Sequence, residues 1–495
     1  MDDKSLIIIG AGISGLAAGC YARMNGYQTK IVEMHSQPGG FCTAWKRKGY
    51  TFDFCIHDLA GAGSNSALHH IWQELGALQD VPLVRFDEFW RVENASGKPL
   101  MGYRDVDHLE LHLLAHSSND RKLIRQYING IRHFDKFELF ALQEGSPKAF
   151  LAMVLHLPAL IRWSSMNMAD FAEHFEDPFL RTAFKYFQYG TPETPLSVHM
   201  NFAANAANGK FAWPAEGSLA FTQRIARRYE SLGGELILNA KVDEILVDGD
   251  QVAGVRLTDG RILQAGRVIS TADGMSTIYH MLDGQYTNRF IERYYQDPPD
   301  ESIMNLVVSL GVRREIKTEP RAITLLLDKP HYIGDRMRDH LDIEIMSYEP
   351  SFAPHGCTSV KVVMDTAYHF WDALYQDRQN YEQVKQLVAE GVLQVLEKRF
   401  PGLSQQVEVV DVATPKTIER YTGNYHGCNA WFPKKGLLRM MLFGLSRRLP
   451  GLKRFYMAGQ WSGMAVGLHT TAISSRQLIQ RICKEDGQAF KARLD

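Results

Sequence analysis

The stretch from Leu6 to Glu33 constrains this chain more than any other. Leu6-Ile7-Ile8-Ile9 reads as a short, buried parallel strand, and Gly10-Ala11-Gly12-Ile13-Ser14-Gly15 follows it without a gap. Leu16 to Asn25 has the composition of a helix, and Gln28 to Val32 reads as a second strand ending at Glu33. Strand, glycine turn, helix, strand and acid, in that order, make a dinucleotide-binding half. Gly10 allows the tight turn, and Gly12 lets the backbone approach a pyrophosphate at the positive end of the helix. Gly15 and Gly19 let the helix pack closely. Glu33 stands where a carboxylate can accept both hydroxyls of an adenosine ribose, and its charge argues against a 2'-phosphate.

The fingerprint alone does not choose between a nicotinamide and a flavin. The next residues do, because Gln37-Pro38-Gly39-Gly40-Phe41-Cys42-Thr43 sets a Gly-Gly pair just beyond the second strand. A nicotinamide-binding half usually enters its next helix here. In flavoprotein folds such a pair brings the backbone close to the cofactor, and the Thr43 hydroxyl can reach a phosphate or ribityl oxygen.

A chain of 495 residues is too long for one core, so two or three domains are expected. A formal net charge of -1 gives no reason to expect a nucleic-acid partner. Six scattered cysteines without a C-x-x-C fit a reducing compartment, and no ligand cadence supports a metal site. The chain enters its first strand at once, without a signal-type apolar region, so a cytoplasmic protein is expected. The longest apolar run, Phe150 to Ile161, is interrupted by His156 and Pro158. It reads as a buried helix or one side of a lipid-lined cavity, and less readily as a patch docking peripherally on a membrane.

Residues 1–85 hold the first part of the nucleotide domain, and 86–215 form a mostly helical cap region rich in Phe, Met, Trp and Leu. Residues 216–284 return to it with an amphipathic helix and an antiparallel meander around Val242 to Ala265. Residues 285–415 carry strand candidates for a mixed sheet and a helix from about Tyr381 to Phe400. Within it, Glu344 either faces a cavity or, as strand carboxylates more often do, faces solvent. Residues 416–495 end with a strand at Arg454 to Ala458, a glycine turn at Gly459-Gln460, and a helix from Gly467. A helix start after such a strand is a second anion or flavin-edge site.

GAGISGLAAG with Glu33, PGGFCT, WPAEGSLAFTQRIARRYESLGGELILNAKVDEI, RVISTADG, ATPKTIERYTGNYHG and RFYMAGQWS resemble the phytoene desaturase-like flavoprotein oxidoreductases. That group includes carotenoid desaturases, the carotenoid cis-trans isomerase and retinol saturase. The resemblance implies an α/β fold: a Rossmann-type FAD-binding domain of the glutathione-reductase/amine-oxidase-like class with an inserted α+β substrate domain. It implies FAD, held by Gly10, Gly12, Gly15, Glu33, Gly39, Gly40, Thr43, Val242, Gly459 and Gln460. Ile13, Ser14, Met34, Phe41, Asp273, Gly467 and Leu468 complete the candidate set. The chain departs from many relatives at the turn Ser462 to His469 and at Glu216-Gly217, so the substrate transfers least.

Flavin chemistry on a carbon–carbon bond needs an apolar tunnel and one acid or base near the ring. His57 is the first candidate, since imidazole exchanges protons near neutrality; the plain alternative is a core histidine donating to a carbonyl. Asp53 either orients His57 or caps a turn. Tyr425 and His426 follow, from the family loop, while Tyr186, Tyr189 and His199 are weaker tunnel candidates. The expected activity is desaturation or saturation of an apolar isoprenoid or polyene lipid. Alternatives are a double-bond isomerase without net redox, an amine-oxidase-like flavoenzyme, and a non-enzymatic flavin-containing lipid binder. The electron partner (quinone, oxygen or a protein carrier) and the oligomeric state stay open.

Overall fold

A computed structural model describes residues 4–94, 99–136, 138, 147–187, 191–296, 299, 301, 304–317, 319–428, 446–462 and 467–492. Tyr189 and the turn 463–466 lie outside the described residues.

Five parallel strands form the first sheet, in the order Glu235–Ile237, Gln28–Val32, Ser5–Ile9, Arg267–Ser270, Phe455–Met457. Leu6 to Ile9 are buried on both faces, as an uninterrupted apolar strand in a parallel sheet should be. The helix Ile13–Met24 is built from small and apolar residues and is buried nearly all round. It lies among the sheet, the helix Gly217–Ser231 and the C-terminal helix Leu468–Glu485. A Cβ at Gly19 would stand 2.7 Å from the Tyr229 ring and 2.8 Å from Ile31, so only glycine permits that contact. The expected meander is present as Val242–Asp248, Gln251–Leu257 and Ile262–Gln264.

The second sheet has seven strands, in the order Val407–Ala413, Met304–Val312, Thr358–Thr366, Arg336–Ile345, Ala322–Ile333, Glu88–Asn94, Leu100–Tyr103. Its last two strands come from the region expected to form the helical cap, and Glu88–Asn94 joins it parallel to Ala322–Ile333. Alternation divides the strand Arg336–Ile345 between two faces. Leu341, Ile343 and Ile345 share a core with the helix Arg378–Arg399. Asp342 and Glu344 point the other way, where Thr324 donates to Asp342 Oδ1 at 2.6 Å.

The helices Val106–His116, Arg121–Phe134, Met168–Ala172, Pro178–Ala183 and Leu196–Ala207 enclose a separate aromatic core. His199 lies within it, 2.7 Å from the Tyr127 hydroxyl. The helix Pro147–Ser164 corrects the sequence reading. Much of its apolar run faces outward instead of into a core or cavity, with Phe150, Leu155 and Ile161 each more than 60% exposed. Hydropathy reports how apolar a segment is, not which way its faces turn. Among the described residues no helix is long and apolar enough to cross a membrane.

Burial pushes the His199 imidazole down to about 3. The unfolded chain therefore binds a proton that the folded chain refuses, and stability present above the ordinary histidine value is lost as pH falls toward about 3. His112 and His469, each lowered to about 4 mainly by burial, act in the same direction. Urea unfolding at pH 6.5 and 5 is expected to show a loss to which His199 alone contributes up to about 2 kcal/mol. His199→Gln is expected to flatten that slope, whatever its effect on absolute stability.

Candidate functional site

A cavity of about 400 Å³ opens at the carboxyl ends of the parallel strands. It lies where strand connections diverge on either side of Ser5–Ile9, the place where open α/β sheets bind ligands. Gly10, Gly12, Ile13 and Ser14 line one wall, and Gly39, Gly40, Phe41 and Thr43 line the next. These two glycine loops touch. Gly39 N–H donates to the Ala11 carbonyl at 3.0 Å, and Gly12 and Gly39 form a parallel bridge. Gly15 sits behind the turn and does not line the cavity, because a Cβ there would meet the Gly10 carbonyl oxygen at 1.9 Å. Its part is to let the helix start directly against the strand.

Glu33 is buried at the cavity wall. Ala11 N–H donates to Oε2 at 2.7 Å and His35 N–H donates to Oε1 at 2.9 Å. Burial raises its carboxyl above the usual range, and these amides work against that rise. Met34 and Val242 line the cavity beside it. Gly423 packs above Met34, where a Cβ would lie 3.0 Å from the sulfur.

The far wall comes from the C-terminal part, through Gly459, Gln460, Trp461, Leu468 and Thr471. Two serines lock it to the front end. The Ser14 and Ser475 hydroxyls are 2.8 Å apart, and Ser475 also donates to the Ser14 carbonyl at 2.8 Å. Two candidates are placed differently from the sequence reading. Gly467 does not line the cavity; its carbonyl accepts from Thr471 N–H at 3.2 Å and Thr470 Oγ1 at 2.7 Å, starting the C-terminal helix. Asp273 is buried behind the wall, where its Oδ1 accepts from Ser276 N–H at 3.0 Å, while Thr271, Ala272 and Ser276 line the cavity.

The three catalytic candidates also lie outside this cavity's lining. His57 Nδ1 pairs with Glu344, whose other oxygen lies 2.9 Å from Lys361 Nζ. Glu344 and Lys361 are each 3% exposed at the side chain, so the solvent-facing reading of Glu344 is overturned. The sheet presents that carboxylate inward on its polar face. Although burial opposes ionisation, the charges of His57, Lys361 and Arg321 hold Glu344 well below the usual carboxylate range. Arg321 also donates to the His57 carbonyl and pairs with Asp58 at 2.6 Å. Asp53 does not orient His57. Its carboxylate accepts from Ser218 N–H at 2.6 Å and Ser218 Oγ at 2.7 Å, at the start of the helix Gly217–Ser231.

Tyr425 and His426 form a different group, directly after the cavity-lining Gly423 and Asn424 in the chain. The His426 ring stacks between Tyr425 at 3.6 Å and Tyr368 at 4.0 Å, with Nδ1 on Glu301 at 2.5 Å. His426 takes a left-handed backbone with φ 52°, which aims the ring into this stack. The weaker candidate Tyr186 donates to Asp339 at 3.0 Å.

Sequence reasoning missed Trp45, Phe54, Thr271, Tyr421, Trp461 and Thr471 as cavity-lining residues. Phe54 and Trp45 adjoin the Gly-Gly loop, and the Tyr421 ring packs tilted against His35 with centroids 4.9 Å apart.

The family model for an NAD(P)-binding Rossmann-like domain matches residues 8–75. A lycopene-forming phytoene desaturase of Paracoccus sp. is 26% identical over 96% of this chain and 97% of its own length. Prolycopene isomerase 2 of an Oncidium hybrid cultivar, a chloroplastic protein, is 24% identical over 99% of this chain and 86% of its own length. Among solved structures, an oxidoreductase from Methanosarcina mazei aligns with a TM-score of 0.59 at 16% identity, covering 96% of this chain and 100% of that one. Wild-type putrescine oxidase bound to putrescine gives 0.60 at 15%, covering 97% and 98%. These two likenesses establish the shared fold.

The Asp53 bonds have an energetic consequence. Asp53→Ala leaves the Ser218 amide and hydroxyl buried without their acceptor, and is expected to lower unfolding free energy by about 2 kcal/mol in urea titration.

Proposed function

We propose that this chain, which belongs to the phytoene desaturase-like flavoprotein oxidoreductases, uses FAD to add or remove hydrogen across a carbon–carbon bond of an apolar polyene. The observation that carries this reading is the continuity of one cavity from Glu33 and Val242 to Phe54, Trp45 and Gln460. Glu33 offers the carboxylate an adenosine ribose needs, and Phe41, Trp45, Phe54 and Trp461 bring aromatic side chains to the same cavity. The residues fit the cofactor. A Cβ at Gly12 would meet nothing nearer than the Gly39 carbonyl oxygen at 4.0 Å, so the turn has open space beside it for a phosphate.

In this reading Glu33 accepts the ribose hydroxyls, and the amides opening the helix Ile13–Met24 hold the pyrophosphate. Val242 packs on the adenine. The start of the C-terminal helix, where Leu468 and Thr471 line the cavity, would help hold the ring end. Bound FAD supplies hydride exchange with carbon, which no side chain can perform. The chain supplies proton handling. In this reading His57, three residues beyond the cavity-lining Phe54 and held at Nδ1 by Glu344, would be the group that exchanges a proton with the substrate. Glu344 is ionised across the neutral range, so it stabilises the imidazolium that forms.

A second reading, flavin-dependent double-bond isomerisation, is favoured by the prolycopene isomerases, which align along 98–99% of this chain. Anaerobic incubation of the flavin-loaded protein with a polyene, read by product mass, separates the two. Gain or loss of hydrogen supports the redox reading, and an unchanged mass with altered geometry supports the isomerase.

His57→Gln is expected to keep FAD and slow turnover at least about tenfold; unchanged turnover removes His57 from the chemistry. Glu33→Ala removes a charge-assisted hydrogen-bond acceptor and is expected to weaken FAD affinity by about 10- to 100-fold, measured by flavin fluorescence titration.

A further inference from the structure

Two of the six cysteines are brought face to face where the nucleotide cavity meets the helix Gly217–Ser231. The strands Ala44–Arg47 and Tyr50–Asp53 pair as an antiparallel hairpin, with Ala44 opposite Asp53. Phe54 N–H donates to the Thr43 carbonyl at 3.1 Å, which carries the pairing one position further. The next positions outward are Cys42 and Cys55, and their thiols hydrogen-bond to each other. Facing residues of an antiparallel pair hold their Cα atoms about 4.5–5.5 Å apart, inside the range that a disulfide spans.

One residue gathers both sides. Cys42 Sγ donates to the Ser218 carbonyl at 3.5 Å, and Ile56 N–H, next to Cys55, donates to Ser218 Oγ at 2.8 Å. The two thiols are exposed unequally. Cys42 is 1% exposed and belongs to the core around the helix Ile13–Met24, whereas Cys55 packs against the edge of that core and is partly exposed. Burial first, and then the neighbouring Cys55, push the Cys42 thiol well up, so it stays protonated. Cys42 also lines the cavity, between Phe41 and Thr43. A buried thiol alone packs as a small hydrophobe and calls for nothing more. Two thiols in contact, one of them reached from solvent, have an exchange chemistry open to them.

We propose that Cys42 and Cys55 form a reversible disulfide that clamps the base of this hairpin at the cavity wall, closed and opened by exchange with small-molecule disulfides and thiols. The partly exposed Cys55 sulfur attacks the small disulfide, an S–S bond to Cys55 forms, and one small thiolate leaves. Cys42 then attacks the Cys55 sulfur, the bond within the chain forms, and the second small thiolate leaves. Each departing thiolate takes up the proton its attacker gave. Two thiols of the chain are oxidised and one small disulfide is reduced to two thiols. Excess small thiol runs the same steps backwards, so in a reducing compartment the closed form is transient. Closure fixes Phe41, Thr43 and Phe54, which all line the cavity, against one another. The proposal goes beyond the reaction assigned above and stands without it.

The full-length chain is equilibrated without oxygen in glutathione buffers of falling reduced-to-oxidised ratio, quenched with acid, unfolded and alkylated for mass spectrometry. All six cysteines are expected to label in reduced buffer. In oxidised buffer Cys42 and Cys55 are expected to escape labelling and to be recovered as one linked peptide pair that dithiothreitol separates. Cys42→Ser is expected to stop at a glutathione adduct on Cys55, and Cys55→Ser to leave Cys42 unmodified, because Cys55 is the thiol reached from solvent. Should Cys42→Ser fold poorly, Cys55→Ala at the partly exposed position serves instead, and must retain every remaining thiol. Amide hydrogen exchange is expected to slow at residues 41–43 and 54–56 in the closed form, a readout that needs neither substrate nor cofactor. The proposal is overturned if wild type labels at all six cysteines in oxidised buffer, or if the linked peptides join other cysteines. It is also overturned if the closed and open forms exchange alike across the base of the hairpin.

Discussion

The close approach of backbone to backbone around Gly10, Gly12 and Gly15 is the constraint on which the rest of the molecule depends. The helix Ile13–Met24 can begin directly against the first strand because the Gly15 position has no Cβ to strike the Gly10 carbonyl. That places its amides at the cavity and lets the Gly39-Gly40 loop bridge to Gly12. The same helix then becomes the shared neighbour of the central and C-terminal helices, tied through Tyr229 and Ser475. One short stretch of small residues thereby sets the distance between segments more than four hundred positions apart, Ser14 and Ser475 being separated by 461 residues.

The second sheet solves a different problem. Its helix-packed face is apolar, and its other face carries Thr324, Asp342, Glu344 and Lys361 into the interior. Buried charges are costly unless paired, and here opposite charges meet: Glu344 with Lys361 and His57, Asp58 with Arg321. Replacing such groups with hydrocarbon often costs little stability, so the main structural effect of the cluster here is to hold the His57 ring. It fixes the orientation of a titratable ring without relying on mobile loops. Asp53, meanwhile, is spent on starting the central helix. Asp53 and Glu344 thus hold different partners, Ser218 for one and His57 with Lys361 for the other.

What the sequence disclosed follows from the range of the interactions involved. The nucleotide half was legible because strand, turn, helix and acid lie within thirty residues and each has a local physical signature. The meander, the long helix at Arg378–Arg399 and most strands of the second sheet were legible from periodicity. The joining of Glu88–Asn94 to that sheet was not, since it rests on contacts such as Trp90 Nε1 donating to Thr324 Oγ1, 234 residues away. The sequence left Glu344 facing either a cavity or solvent, because the partners that decide it, His57 and Lys361, are distant in the chain or on another strand. The same gap explains Phe150 to Ile161, whose composition is apolar in either setting, and Asp273 and Gly467, which neighbour the cavity in sequence while their contacts turn away from it.

The central claim is that an adenine dinucleotide with a flavin ring spans the first glycine turn and the start of the C-terminal helix. Its most direct measurement is the cofactor content of the purified chain, by visible absorbance followed by chromatography of the chromophore released on heating. The account expects an oxidised-flavin spectrum and FAD in equal proportion to chain, taken up again by the stripped protein. A well-folded, colourless chain that takes up no flavin when FAD is supplied would contradict it.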